Sequence, residues 1–169
     1  MKFKVTLLML VVMILAVGCN IVEDIDSMPT IYEAERNLEG EWSKDTLPRD
    51  GEYRVVTTEN REEVLKDLQH KQYYERISKL DLTDKVGILA YLGEMPSGGY
   101  GIQIDKVIEK DNKLVVKVTQ VSPEDDEVSI TVITHPYDLV VIDKSKFKSK
   151  EISDLDLIVV NQNGEFINK

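Results

Sequence analysis

Hydrophobic positions recur at every second residue through much of the chain. Leu114, Val116 and Val118 alternate with Lys117 and Thr119. That period places one side of a strand in a core and the other in water. Tyr100, Ile102 and Ile104 alternate in the same way, in a run that reaches Ile108. Val128, Ile130 and Val132 alternate with Ser129 and Thr131, and Leu139 to Ile142 resumes after a break at Thr134-His135-Pro136-Tyr137. Residues 52–57 read as a further strand and Leu155 to Val160 as a mostly apolar run. Lys85 to Leu92 is nearly all apolar, which predicts a central strand. The period changes once. Val64, Leu65 and Leu68, with Tyr73, recur at helical spacing, and Thr58 or Asn60 is placed to cap that helix ahead of Glu62 and Glu63.

The breaks between these runs are chemically specific. Met95-Pro96-Ser97-Gly98-Gly99-Tyr100 carries a proline and paired glycines, so a constrained turn joins two strands there, with positive φ at one glycine or both. Residues 109–113 form a short polar turn, and Asn161-Gln162-Asn163-Gly164 signals a terminal hairpin ending on Phe166-Ile167. Short connections make neighbouring strands antiparallel. The pattern predicts an α+β, mostly β domain: an antiparallel sheet or small sandwich of about six to eight short strands with one helix.

The first residues follow a different logic. Met1-Lys2-Phe3-Lys4 is a short positive segment, and Val5 to Val17 is apolar apart from Thr6. A helix of that length rises about 20 Å, too little for a hydrocarbon core of about 30 Å. The run ends in Leu15-Ala16-Val17-Gly18-Cys19, which resembles a bacterial lipobox. Residues 1–18 are therefore expected to be a lipoprotein signal peptide, with acylation of Cys19. A lipid-bearing Cys19 places the protein on the extracytoplasmic face of a bacterial cell membrane. Residues 19–36, acidic and polar, read as a tether, residues 37–150 as the domain, and residues 151–169 as a C-terminal hairpin. Leu38 and Trp42 are the first candidates for its core.

Charge and composition narrow the partners. The formal net charge is -10, and loss of Lys2 and Lys4 makes the mature chain more acidic still. Such a surface disfavours nucleic acid. Cys19 is the only cysteine, so no internal disulfide forms, and acylation leaves it no thiol chemistry. The glycine turn is not a phosphate loop, because a strand pattern follows it and no Lys-Ser/Thr pair is present. His70 and His135 are the only histidines. Ser97 with His135 as base gives the alternative reading, a small cell-surface hydrolase, although the Gly-x-Ser-x-Gly elbow is missing. Glu124-Asp125-Asp126-Glu127 lacks the spaced ligands of a calcium loop and reads as a solvated loop. No metal, no cofactor and no catalytic group is expected.

Two motifs carry a family resemblance. Gly93-Glu94-Met95-Pro96-Ser97-Gly98-Gly99-Tyr100 is similar to a Gly-x-x-Pro-Thr/Ser-Gly-Gly-Tyr signature, and Thr134-His135-Pro136-Tyr137 to a Thr-x-Pro-Tyr strand. With the strands between them, residues 80–145 resemble the protease-complex-subunit PrcB-like family. The resemblance implies a secreted or lipid-anchored bacterial accessory protein. Together with the lipobox and the missing catalytic constellation, it leads to the expectation of a non-enzymatic protein, membrane-attached through Cys19, that binds or stabilises a protein partner such as a surface protease complex. Pro96, Gly98, Gly99, Tyr100, Pro136 and Tyr137 sit at the breaks and are the candidate partner-binding or turn-forming residues. They are expected to lie close together at one end of the sheet.

Overall fold

A computed structural model describes residues 25–36, 38–42, 51–67, 71–124 and 131–167. Residues 1–18, read as a signal peptide, together with Cys19, Leu68, His70 and the alternating Val128 and Ile130, lie outside these residues. The described residues form seven strands and two α-helices: β1 (Tyr32–Glu33), β2 (Glu52–Val56), α1 (Arg61–Asp67), α2 (Lys71–Ser78), β3 (Lys85–Tyr91), β4 (Gly101–Lys110), β5 (Lys113–Val121), β6 (Tyr137–Asp143) and β7 (Asp156–Val160). The mostly β, α+β class holds, with two short helices in place of the single expected one. None of the described helices is long and apolar enough to cross a membrane.

Two sheets stack face to face. One has the order β1-β4-β5-β7 and the other β2-β3-β6. The even-numbered residues of β3, from Val86 to Ala90, and the following Leu92 share the main core with Ile102, Ile104, Val116 and Val118 of the opposite sheet. On the other side of β3, Leu89 and Tyr91 pack with Val64, Leu65, Tyr73 and Ile77 of the helices. Burial on both faces explains why this strand reads as a continuous apolar run. Burying side chains of this size stabilises the fold by about 1.5–3 kcal/mol each before chain entropy is subtracted.

Turn chemistry sets the register. Asp111 and Asn112 have φ of 50° and 61°, the left-handed pair of a two-residue hairpin between Lys110 and Lys113. Within β4 a bulge between Ile104 and Lys106 shifts the pairing with β5. The inward positions change from Ile102 and Ile104 to Val107, while Ile108 turns to the opposite face beside Val115 and Ile25. At α1, Thr57 Oγ1 accepts from Asn60 N at 3.4 Å and Asn60 Oδ1 accepts from Thr57 N at 2.8 Å. The reciprocal cap thus joins Asn60, one of the two expected residues, to Thr57; the other, Thr58, donates its hydroxyl instead to Leu82 O at 2.9 Å.

Three placements differ from the sequence reading. The last strand, β7, pairs parallel with β5. Its connection crosses from the other sheet through Phe147, Ile152 and Leu155, all buried, so the short-turn rule does not govern it. Within the acidic segment read as tether, Tyr32–Glu33 pairs with β4 and Ile25 is buried. Alternating hydrophobicity cannot reveal a strand of two residues. Residues 131–133, read as strand, are not in one; only Thr134 makes an isolated bridge, to Met95.

Candidate functional site

The glycine turn and the Thr-His-Pro-Tyr break meet at one end of the domain. Met95 N donates to Thr134 O and Thr134 N to Met95 O, both at 2.9 Å. Thr134 Oγ1 donates to Ser97 O at 2.8 Å, and Leu92 N donates to Pro136 O at 2.9 Å. The two segments are therefore stitched by backbone as the continuation of the β3–β6 pairing. Gly99 has a φ of +86°. A Cβ built on it would stand 3.0 Å from Pro123 Cβ, so both conformation and space call for glycine there.

The six candidate residues do not form one exposed patch. Pro96 and Gly99 are exposed; Gly98, Tyr100, Pro136 and Tyr137 are half-buried. Tyr100 packs edge-on against Trp42, with ring centroids 6.1 Å apart, at the margin of the main core. Tyr137 packs edge-on against Tyr73 at 4.0 Å, in the core beneath the helices. The Arg76 guanidinium also sits 5.7 Å from the Tyr137 ring centroid. The two tyrosines thus serve different cores. What the turns expose instead is Pro96 together with Val132 and Ile133, which are 51% and 60% exposed. Alternation assigns Val132 to the buried face of a strand, so the sequence pattern hides this apolar pair.

Polar groups around the break are engaged structurally. Tyr73 donates its hydroxyl to the His135 carbonyl, and the Tyr91 hydroxyl lies 3.2 Å from His135 Nδ1. Burial, then the neighbouring Tyr91 and Tyr137, hold the Tyr73 hydroxyl well above its ordinary range. Ser97 Oγ donates to the Gly98 carbonyl at 3.1 Å. Ser97 and His135 come to the same end of the fold, but these bonds direct the serine to backbone and the imidazole to a tyrosine. A nucleophile–base pair requires the hydroxyl to reach the imidazole. Among the described residues no group of three His, Cys, Asp or Glu side chains is placed to hold a metal.

A second polar device, not read from the sequence, closes the seam between the sheets. Asp138 Oδ2 accepts from Ile104 N at 2.8 Å, and Asp138 Oδ1 accepts from Leu139 N at 2.8 Å. One carboxylate therefore satisfies the edge of β4 at its bulge and the start of β6.

Residues 87–143 match the family model described as PrcB C-terminal. The matched stretch runs from β3 through β6 and contains both turns. The resemblance read from the two motifs is thereby borne out over this part of the chain. No curated protein and no solved structure matches.

Proposed function

We propose that this protein is an accessory subunit, anchored by lipid on Cys19 to the extracytoplasmic face of a bacterial membrane, that binds and stabilises a protein partner in a surface protease complex. The observation that carries the reading is the PrcB C-terminal match over residues 87–143, which spans both turns. The lipobox-like end of the apolar N-terminal run supports the anchor. The exposed Pro96, Val132 and Ile133 beside the stitched turns supply apolar area of the kind that a partner covers.

Cross-linking on intact cells, followed by recovery from detergent-solubilised membranes, tests the partner. A protease or its assembly factor should be recovered with the wild-type chain and lost when Val132 and Ile133 are both changed to Ser. Recovery of the chain alone would refute the reading. Growth with a fatty-acid analogue tests the anchor: the wild-type chain should take up label, and Cys19→Ala should take up none and leave the membrane fraction. Label persisting on Cys19→Ala would refute lipidation at that residue.

A further inference from the structure

The outward face of the β1-containing sheet holds a carboxylate that the fold does not explain. Asp105 sits at the β4 bulge. Its Oδ2 accepts from Thr119 Oγ1 at 2.7 Å. Its Oδ1 is buried and has no hydrogen-bond partner among the described residues. Native proteins seldom leave a buried acceptor unsatisfied, because the lost hydration is not recovered. Burial pushes the Asp105 carboxyl above its ordinary range, while Thr119 and the charge of Lys117 oppose that shift.

Asp105 lines a cavity of about 330 Å³ together with Glu33, Lys106, Lys117, Thr119 and Gln162. The Lys106 ammonium lies 3.4 Å from the Glu33 carboxylate, which offsets that pair of charges. Residues 38–42 form a strap along this cavity. The strap is held by close approach: a Cβ on Gly40 would stand 2.9 Å from Val121, and one on Gly101 would stand 3.1 Å from Leu38. Ser122 N also donates to Glu41 O at 3.0 Å. Beyond the strap lies a second cavity, about 610 Å³, which shares Leu38 and Gly40 with the first. Trp42, Val121 and Pro123 give it apolar walls, and the exposed Glu39, Glu41 and Glu124 give it an acidic rim.

We propose that this face binds a basic, extended segment of a partner protein, with one arginine or lysine side chain donating to Asp105 Oδ1 and a neighbouring apolar residue resting on Trp42 and Pro123. The acidic rim and the net charge of -10 give the complementarity, and the unsatisfied oxygen gives the anchor point. The inference rests on the reading that the chain has a protein partner, and it names the partner's chemistry.

The probe is a capped hexapeptide of alternating leucine and arginine, titrated into the full chain in detergent. Trp42, the only tryptophan, reports docking by its fluorescence. The arginine peptide should saturate the signal, and the same peptide with neutral citrulline in place of arginine should bind roughly tenfold or more weakly. Asp105→Asn should weaken the arginine peptide by a similar factor. Glu62→Gln, which removes one charge from α1, should leave it unchanged. Lys117→Met, which removes a competing cation beside Asp105, should tighten it. Absence of saturation, equal binding of the citrulline peptide, or equal loss in Asp105→Asn and Glu62→Gln would overturn the proposal. The cross-linking experiment reads separately: a partner recovered equally by wild type and Asp105→Asn overturns this site and leaves the accessory role standing.

Discussion

Gly99→Val should destabilise the domain by about 2–3 kcal/mol. The backbone at residue 99 has a φ of +86°. Left-handed backbone costs a residue with a Cβ about 1–2 kcal/mol, and a β-branched side chain is the worst fitted to it. The new Cβ would also stand 3.0 Å from Pro123 Cβ. That atom belongs to a ring fixed to the backbone, so residues 122–124 must move with it, which adds about 1 kcal/mol. For a domain of this size each kcal/mol lowers the melting temperature by roughly 2–4 °C, so a drop of about 5–10 °C is expected. Thermal unfolding followed by circular dichroism measures it. Gly98→Val is the internal control, because Gly98 is not among the described glycines at positive φ. It should cost less than about 1 kcal/mol. A Gly99→Val protein that melts with the wild type, or a Gly98→Val protein that falls as far, would refute the reasoning.

Two further outcomes follow from polar groups at the sheet margins. Asp138→Ala strands the Ile104 and Leu139 amides and should cost about 1.5–3 kcal/mol in urea unfolding, with Asp138→Asn, which keeps one acceptor oxygen, recovering part of it; an Asp138→Ala protein as stable as the wild type would show that the carboxylate does not hold the seam. Burial pushes the Tyr53 hydroxyl from 10.0 up to about 12, against a hydrogen bond from Gln120 that lowers it. Between those values the unfolded chain releases a proton that the native chain keeps, so stability is fully present below pH 10.0 and falls as pH rises toward 12. Tyr53→Phe should flatten that part of the alkaline decline in urea midpoints; an unchanged slope would contradict it.

Local chemistry makes much of this legible. The double burial of β3 shows as an unbroken apolar run, and the β4–β5 hairpin shows as alternation around a polar turn. The meeting of the two turns is legible too, since both interrupt strands that pair. The sequence misleads where one element's place depends on distant ones. Nothing in residues 156–160 marks a parallel partner, because hydrophobic alternation is blind to strand direction. Tyr100 and Tyr137 look alike as tyrosines at turns, yet one meets Trp42 and the other Tyr73. Asp105 and Asp138 leave only a weak signal, an acidic residue inside a strand where that residue type is depleted. Their roles depend on a bulge and a seam that exist only once both sheets are assembled.

The parallel pairing of β7 has a kinetic side. β4 and β5 are joined by Asp111 and Asn112 alone, so their hairpin can form on the order of 1–10 μs from residues adjacent in the chain. Pairing Lys85 with Asp143, or Leu114 with Leu157, requires long loops to close first. Until β7 arrives, one edge of β5 stands open, with Val115 and Val116 flanking unpaired backbone. Such an edge can template pairing with another chain. The interval between hairpin formation and docking of β7 is therefore the period in which this protein is most exposed to misassembly, and a slow step there would show as aggregation during refolding at high protein concentration.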